Sequence, residues 1–111
     1  MGGGWGSVVK LTIRRGGGIA GIVARTELDT SDLSLPAAET FAAQMNQSGL
    51  RESGKPPAAV RRPDDQLYEI SWEESGRLDS RRYSEESLPE GVRKLIAWVD
   101  GRPERIESIE Q

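Results

Sequence analysis

The chain has 111 residues, a net charge of −3, and no cysteine or histidine. That length suits one domain, and 15 basic against 18 acidic residues, mixed along the chain, leave no electrostatic footprint for nucleic acid. The missing Cys and His exclude a disulfide framework, thiolate zinc sites, a cysteine nucleophile and a Ser-His-Asp triad. Such a chain reads as a binder before an enzyme, with no catalytic residue, cofactor or metal expected.

Residues 1–7, with Gly2, Gly3 and Gly4, read as a flexible lead; they lack the basic and apolar regions of a signal peptide. No apolar run is long enough to span a membrane. From Val8 to Arg14 the chain alternates, with Val9, Leu11 and Ile13 on one face and Lys10, Thr12 and Arg14 on the other. Gly16-Gly17-Gly18 permits a tight reversal, and Ile19 to Glu27 resumes as a strand, so Val8 to Glu27 is predicted to be a hairpin. The glycines also spell G-x-G-x-x-G over Gly16 to Gly21. A dinucleotide site needs a helix next, and the β-branched residues that follow favour a strand.

Leu28 to Leu35 reads as a loop with three leucines among turn-forming residues. Ser34 is the expected cap of a first helix, with Pro36 in its first turn and Gly49 as its left-handed end. Leu35, Ala38, Ala42 and Met45 make the expected buried stripe, widened by Phe41. Leu50 to Asp65 has no periodicity and carries Gly54, Pro56, Pro57 and Pro63. Gln66 to Glu73 alternates, with Tyr68, Ile70 and Trp72 on its apolar face. Glu74-Ser75-Gly76 makes a turn, and Arg77 to Ser84 reads as a polar edge strand.

A second helix is predicted from a capping box, Ser87 as cap and Glu90 reaching back. Its buried stripe is Leu88, Val92, Leu95 and Val99, with Ile96 beside it, and Gly101 and Pro103 end it. Arg102 to Gln111 reads as a frayed, charged tail. The order is ββαββα. The expected fold class is α+β, a four-stranded antiparallel sheet with two helices on one face. Residues 8–101 form the single predicted domain.

The candidate sites carry two readings each. The doublets Arg14-Arg15, Arg61-Arg62 and Arg81-Arg82 read as solvated surface. Asp64-Asp65 and Glu73-Glu74 lack the further ligands or the cleft that metal binding or acid–base chemistry needs. Trp72 falls on a core face; Trp98 falls at the rim of its helical stripe, half-buried or a binding anchor. In Leu28–Leu33 the two leucines either tuck under the first helix or are presented as an apolar finger beside Asp29 and Asp32.

Several features in order carry a resemblance: Arg14-Arg15-Gly16-Gly17, the hairpin segment Gly17 to Gly21, Asp65-Gln66-Leu67-Tyr68-Glu69-Ile70, and the helix from Leu88-Pro89 to Leu95-Ile96-Ala97-Trp98. Together they resemble the emfourin family over Val8 to Val99. The resemblance implies a small intracellular, bacterial, cytoplasmic inhibitor of a thermolysin-like (protealysin-like) zinc metallopeptidase, with no nucleic-acid or membrane partner and monomeric when free. Such peptidases prefer a bulky apolar residue just after the cleaved bond. Leu28 or Leu33 could fill that pocket, and Asp29 or Asp32 could approach the zinc as a hard oxygen ligand. The inhibitory residues implied are Leu28, Asp29, Thr30, Asp32 and Leu33. The alternative is a non-inhibitory interaction or regulatory module with a different partner.

Overall fold

A computed structural model describes residues 8–17, 23–51 and 66–110. Residues 1–7, the interior of the predicted glycine turn (18–22), the predicted loop at 52–65 and Gln111 lie outside the described residues. The elements are β1 (Val9–Gly17), β2 (Val23–Asp29), a 3-10 turn (Thr30–Asp32), α1 (Leu35–Ser48), β3 (Gln66–Glu74), β4 (Arg77–Ser84), α2 (Glu90–Asp100) and β5 (Ile106–Glu110). They build one antiparallel sheet, ordered β4-β3-β1-β2-β5, so β1 sits at its centre between β2 and β3.

Alternation along the strands decides the two faces. Val9, Leu11 and Ile13 of β1, Ile70 and Trp72 of β3 and Leu28 of β2 turn inward together. Both helices cover that face. Phe41 and Met45 of α1 meet Val92, Leu95, Ile96 and Val99 of α2 in the same core, with Leu50 and Tyr83 closing its edges. The β3–β4 turn places Ser75 at φ 54° and Gly76 at φ 80°. A two-residue hairpin loop with both φ positive matches the twist of its strands.

The sheet has five strands, not four. The tail predicted to fray forms β5, which pairs with β2 from Glu27↔Ile106 to Val23↔Glu110. Charge explains its docking. On the sheet's other face Arg14 and Arg25 stand directly opposite each other, a like-charge pair that needs compensation. Glu110 of β5 accepts from Arg14 Nε at 3.3 Å and from Arg25 Nη1 at 3.1 Å. Glu69 extends the network to Arg14 Nη1 at 3.4 Å and Arg82 Nε at 3.1 Å. Arg14 and Arg82 are therefore members of a cross-strand charge ladder as well as surface residues.

Three local expectations are corrected. The buried stripe of α1 is Ala37, Phe41, Met45 and Ser48, while Leu35 and Ala42 are exposed. The bulk of Phe41 sets the face, and the small alanines follow from it. Ser87 does not cap α2. Its hydroxyl accepts from the Ser84 N–H at 3.0 Å and closes the β4–α2 turn, while α2 begins behind Pro89 with no side-chain cap. Leu28 lies in β2 as a core residue and is not a loop residue. The cap at Ser34, which accepts from the Ala37 N–H, and the left-handed Gly49 at φ 75° are as expected.

Candidate functional site

The loop after β2 is built from short hydrogen bonds. Asp29 ends the strand, and its Oδ1 accepts from the Ser31 N–H at 2.9 Å and from the Ser31 hydroxyl at 2.7 Å. This is the local competition with regular structure that Asp offers at a turn. Thr30 Oγ1 accepts from the Val9 N–H at 3.0 Å, tying the turn to the start of β1. Leu33 N–H donates to the Thr30 carbonyl at 3.1 Å and closes the turn. Five residues are thereby fixed between β2 and α1 without a large core of their own.

The predicted site residues separate by burial. Leu28 is 1% exposed and pairs across the sheet with Leu11, so it cannot enter a partner's pocket without unfolding β2. Leu33 is partly buried against the core. Asp29 and Thr30 are half-exposed, and Asp32 is exposed in the 3-10 turn. Of the two readings open for the leucines, local packing holds for Leu28. Two apolar residues missed by the sequence reading are exposed at this same end of the sheet: Leu35 at 57% and Val8 at 54%. Helical spacing counts Leu35 into the buried stripe, and the structure exposes it. The signal that could have found it is its place beside Pro36, at the very start of the helix, where a side chain projects beyond the packed face.

The Asp29 carboxyl is held below the ordinary aspartate value, first by the Ser31 hydroxyl, then by the Ser31 N–H, with burial opposing and the Lys10 charge assisting. A lowered folded-state value contributes stability that is present above the unfolded value and lost as pH falls through the folded one. Ser31→Ala is therefore expected to move the Asp29 titration upward, read from its carboxyl carbon by NMR. The stability difference between Ser31→Ala and wild type should shrink as pH falls below both values. A titration unchanged by Ser31→Ala would remove this account.

Elsewhere the described residues offer little chemistry. They contain no group of three or more Asp or Glu placed to hold a metal ion. No helix among them is long and apolar enough to cross a membrane. Strands flank the glycine run on both sides, which is not the strand-to-helix passage of a dinucleotide site. Glu74 is engaged by Arg51 at 3.0 Å, and Asp64-Asp65 lies outside the described residues. Trp72 is buried with Arg81 stacked 5.5 Å from its centroid. Trp98 is half-buried between Phe41, 6.0 Å away, and Arg102, 5.4 Å away.

The described residues thus build a two-layer α+β domain with a hydrogen-bonded loop at one sheet end. The emfourin family model matches residues 13–100, and the chain belongs to the emfourin family. That family is one of peptidase inhibitors, not enzymes. A solved structure similar to this chain is emfourin (M4in) from Serratia proteamaculans, an M4 family peptidase inhibitor. It is 14% identical over 85% of this chain and 88% of that one, with a TM-score of 0.47. No curated protein matches the chain.

Proposed function

We propose that this chain inhibits a thermolysin-like zinc metallopeptidase by seating the loop Asp29–Leu33 in the active-site cleft. Membership in the emfourin family supports inhibition. The observation that carries the choice of loop is its double clamp, Asp29 onto Ser31 and Thr30 onto Val9. A loop ordered before binding loses little conformational freedom on docking, which is where a small interface gains its affinity. Leu28 supports the loop from beneath. Asp32 is exposed and offers a carboxylate to the partner's metal.

Titration of the purified chain into a thermolysin-like peptidase with a peptide substrate tests the reading. Stoichiometric loss of activity is expected. Thr30→Val removes the acceptor of the Val9 N–H while keeping the side chain's shape. It should weaken inhibition about fivefold, the equivalent of ~1 kcal/mol for one hydrogen bond. Full peptidase activity at inhibitor excess would leave a non-inhibitory interaction module as the reading to pursue.

A further inference from the structure

We infer that β4 is an interface between two copies of this chain, which pair their β4 strands antiparallel about a two-fold axis at Ser80 and join two sheets into one. This replaces the free monomer that the family resemblance implies with a weak, reversible dimer. β4 is an edge strand of eight residues without a proline, and its register against β3 runs unbroken from Glu74↔Arg77 to Leu67↔Ser84. An edge this long and regular is a template for a further strand unless its side chains forbid the pairing. The opposite edge, β5, has five residues, and a short edge strand is the weaker template.

The hairpin fixes which backbone groups of β4 face outward. Glu74 and Arg77 close the two-residue loop at Ser75-Gly76, so Arg77, Asp79, Arg81 and Tyr83 exchange hydrogen bonds with β3. Glu85 keeps that phase, donating its N–H to the Gln66 carbonyl at 3.0 Å. The N–H and C=O groups of Leu78, Ser80 and Arg82 therefore point away from the sheet. Ser84 has the same phase, and there Ser87 ends the edge by meeting both the Ser84 N–H and the Ser84 carbonyl. With Ser80 opposite its own copy, Leu78 falls opposite Arg82 of the second copy. Each of these outward groups then has a backbone partner.

Charge selects the register. Pairing at Ser80 sets Asp79 opposite Arg81 of the second copy, twice by symmetry. It also lays the exposed Leu78 beside the aliphatic stem of Arg82 from the second copy. Moving the axis by one residue sets Asp79 against Asp79 or Arg81 against Arg81, which like charges oppose. Asp79 stands opposite the inward-facing Trp72, on the helix side of the sheet. An open cleft lined by Arg51, Trp72, Glu74, Arg77, Asp79 and Arg81 leaves room there. In the single chain Arg81 lies over Trp72 and donates from Nη1 to the Ser80 carbonyl at 2.8 Å. On pairing, the second copy's Ser80 N–H takes that carbonyl and the guanidinium turns to Asp79 across the axis. The loop Asp29–Leu33 stands at the Arg77 end of each sheet, so the reversed partner strand places the two loops at opposite ends, both uncovered.

Sedimentation of the full chain from micromolar to millimolar concentration tests the pairing. A monomer–dimer equilibrium is expected, with a dissociation constant on the order of 10–100 µM, as suits a small interface. Asp79→Arg and Arg81→Asp each set like charges across both symmetric contacts, and each alone should raise that constant at least about tenfold. Mixed in equal amounts, the two variants restore opposite charges and should dimerise again, which also shows that both are folded. In wild type, amide hydrogen exchange should slow with rising concentration at Leu78, Ser80 and Arg82, and not at Asp79 or Arg81. A wild-type chain that stays monomeric at millimolar concentration overturns the assignment. So do single variants that dimerise as well as wild type, a mixture of folded variants that stays monomeric, or concentration-dependent protection confined to amides outside β4.

Discussion

Leu28→Ala is expected to lower the melting temperature by at least ~10 °C and to weaken inhibition chiefly through loss of the folded state. Leu28 is 1% exposed on the inner face of β2, opposite Leu11 and beneath the clamped loop. Truncating a buried leucine removes its transfer free energy and leaves a cavity, typically about 2–5 kcal/mol together. A small domain holds about 5–15 kcal/mol in all, so the loss takes a large share of the margin. The variant separates two roles for one residue. A contact leucine would give a stable protein that binds poorly. A core leucine gives a protein that binds in proportion to the fraction folded, so its deficit should recede on cooling toward its temperature of greatest stability. Thermal denaturation beside inhibition at two temperatures measures both. A Leu28→Ala protein that melts with wild type would show that the side chain is not packed as described.

Leu28 also shows where sequence and structure part. Period-two patterns placed β1 and β3 correctly, because Val9, Leu11 and Ile13, like Ile70 and Trp72, each face one apolar layer. Caps at Ser34 and Gly49 bounded α1, since those residue types solve a local hydrogen-bonding or backbone problem. What was not legible depends on partners distant in sequence. Leu28 sits among turn-forming residues, and only its pairing with Leu11 makes it strand. β5 reads Ile106-Glu107-Ser108-Ile109-Glu110, whose apolar residues are three apart and exposed, so no alternation announces it. It is held by pairing to β2 and by Glu110 between two arginines from other strands. Leu35 stands at helical spacing from Ala38 and Ala42, but Phe41 sets the buried face and leaves Leu35 outside it. The loop is legible in the chain as a run of turn-forming residues, yet the burial of Leu28 depends on the register of the sheet.

Gly91→Ala is expected to destabilise the protein by about 1–3 kcal/mol, against the sign that helix propensity alone would give. Gly91 is the second residue of α2, and in an ordinary helix an alanine there would be worth up to ~1 kcal/mol more than glycine. Here α2 crosses the end of α1 at close quarters. A Cβ on Gly91 would lie 2.6 Å from the Gln47 carbonyl oxygen and 3.0 Å from Ser48 Cα. Both are backbone atoms, so no rotamer change relieves the overlap, and the helices must separate. Separation also strains what is anchored there. The Ser48 hydroxyl bonds the Met45 carbonyl at 2.6 Å and receives the Leu50 N–H at 3.2 Å, and Leu50 is fully buried. Gly101→Ala is the matched control, because its Cβ would meet Trp98 O at an ordinary 3.6 Å and its φ of −88° suits any residue. Chemical denaturation should therefore rank Gly101→Ala near wild type, Gly91→Ala below it and Gly91→Val lower still. Since the other end of α1 directly follows the Asp29–Leu33 loop, displacement of the helix should reach that loop, and Gly91→Ala should inhibit less tightly even where it remains folded. A Gly91→Ala protein more stable than wild type would mean that the two helices do not approach as closely as this packing requires.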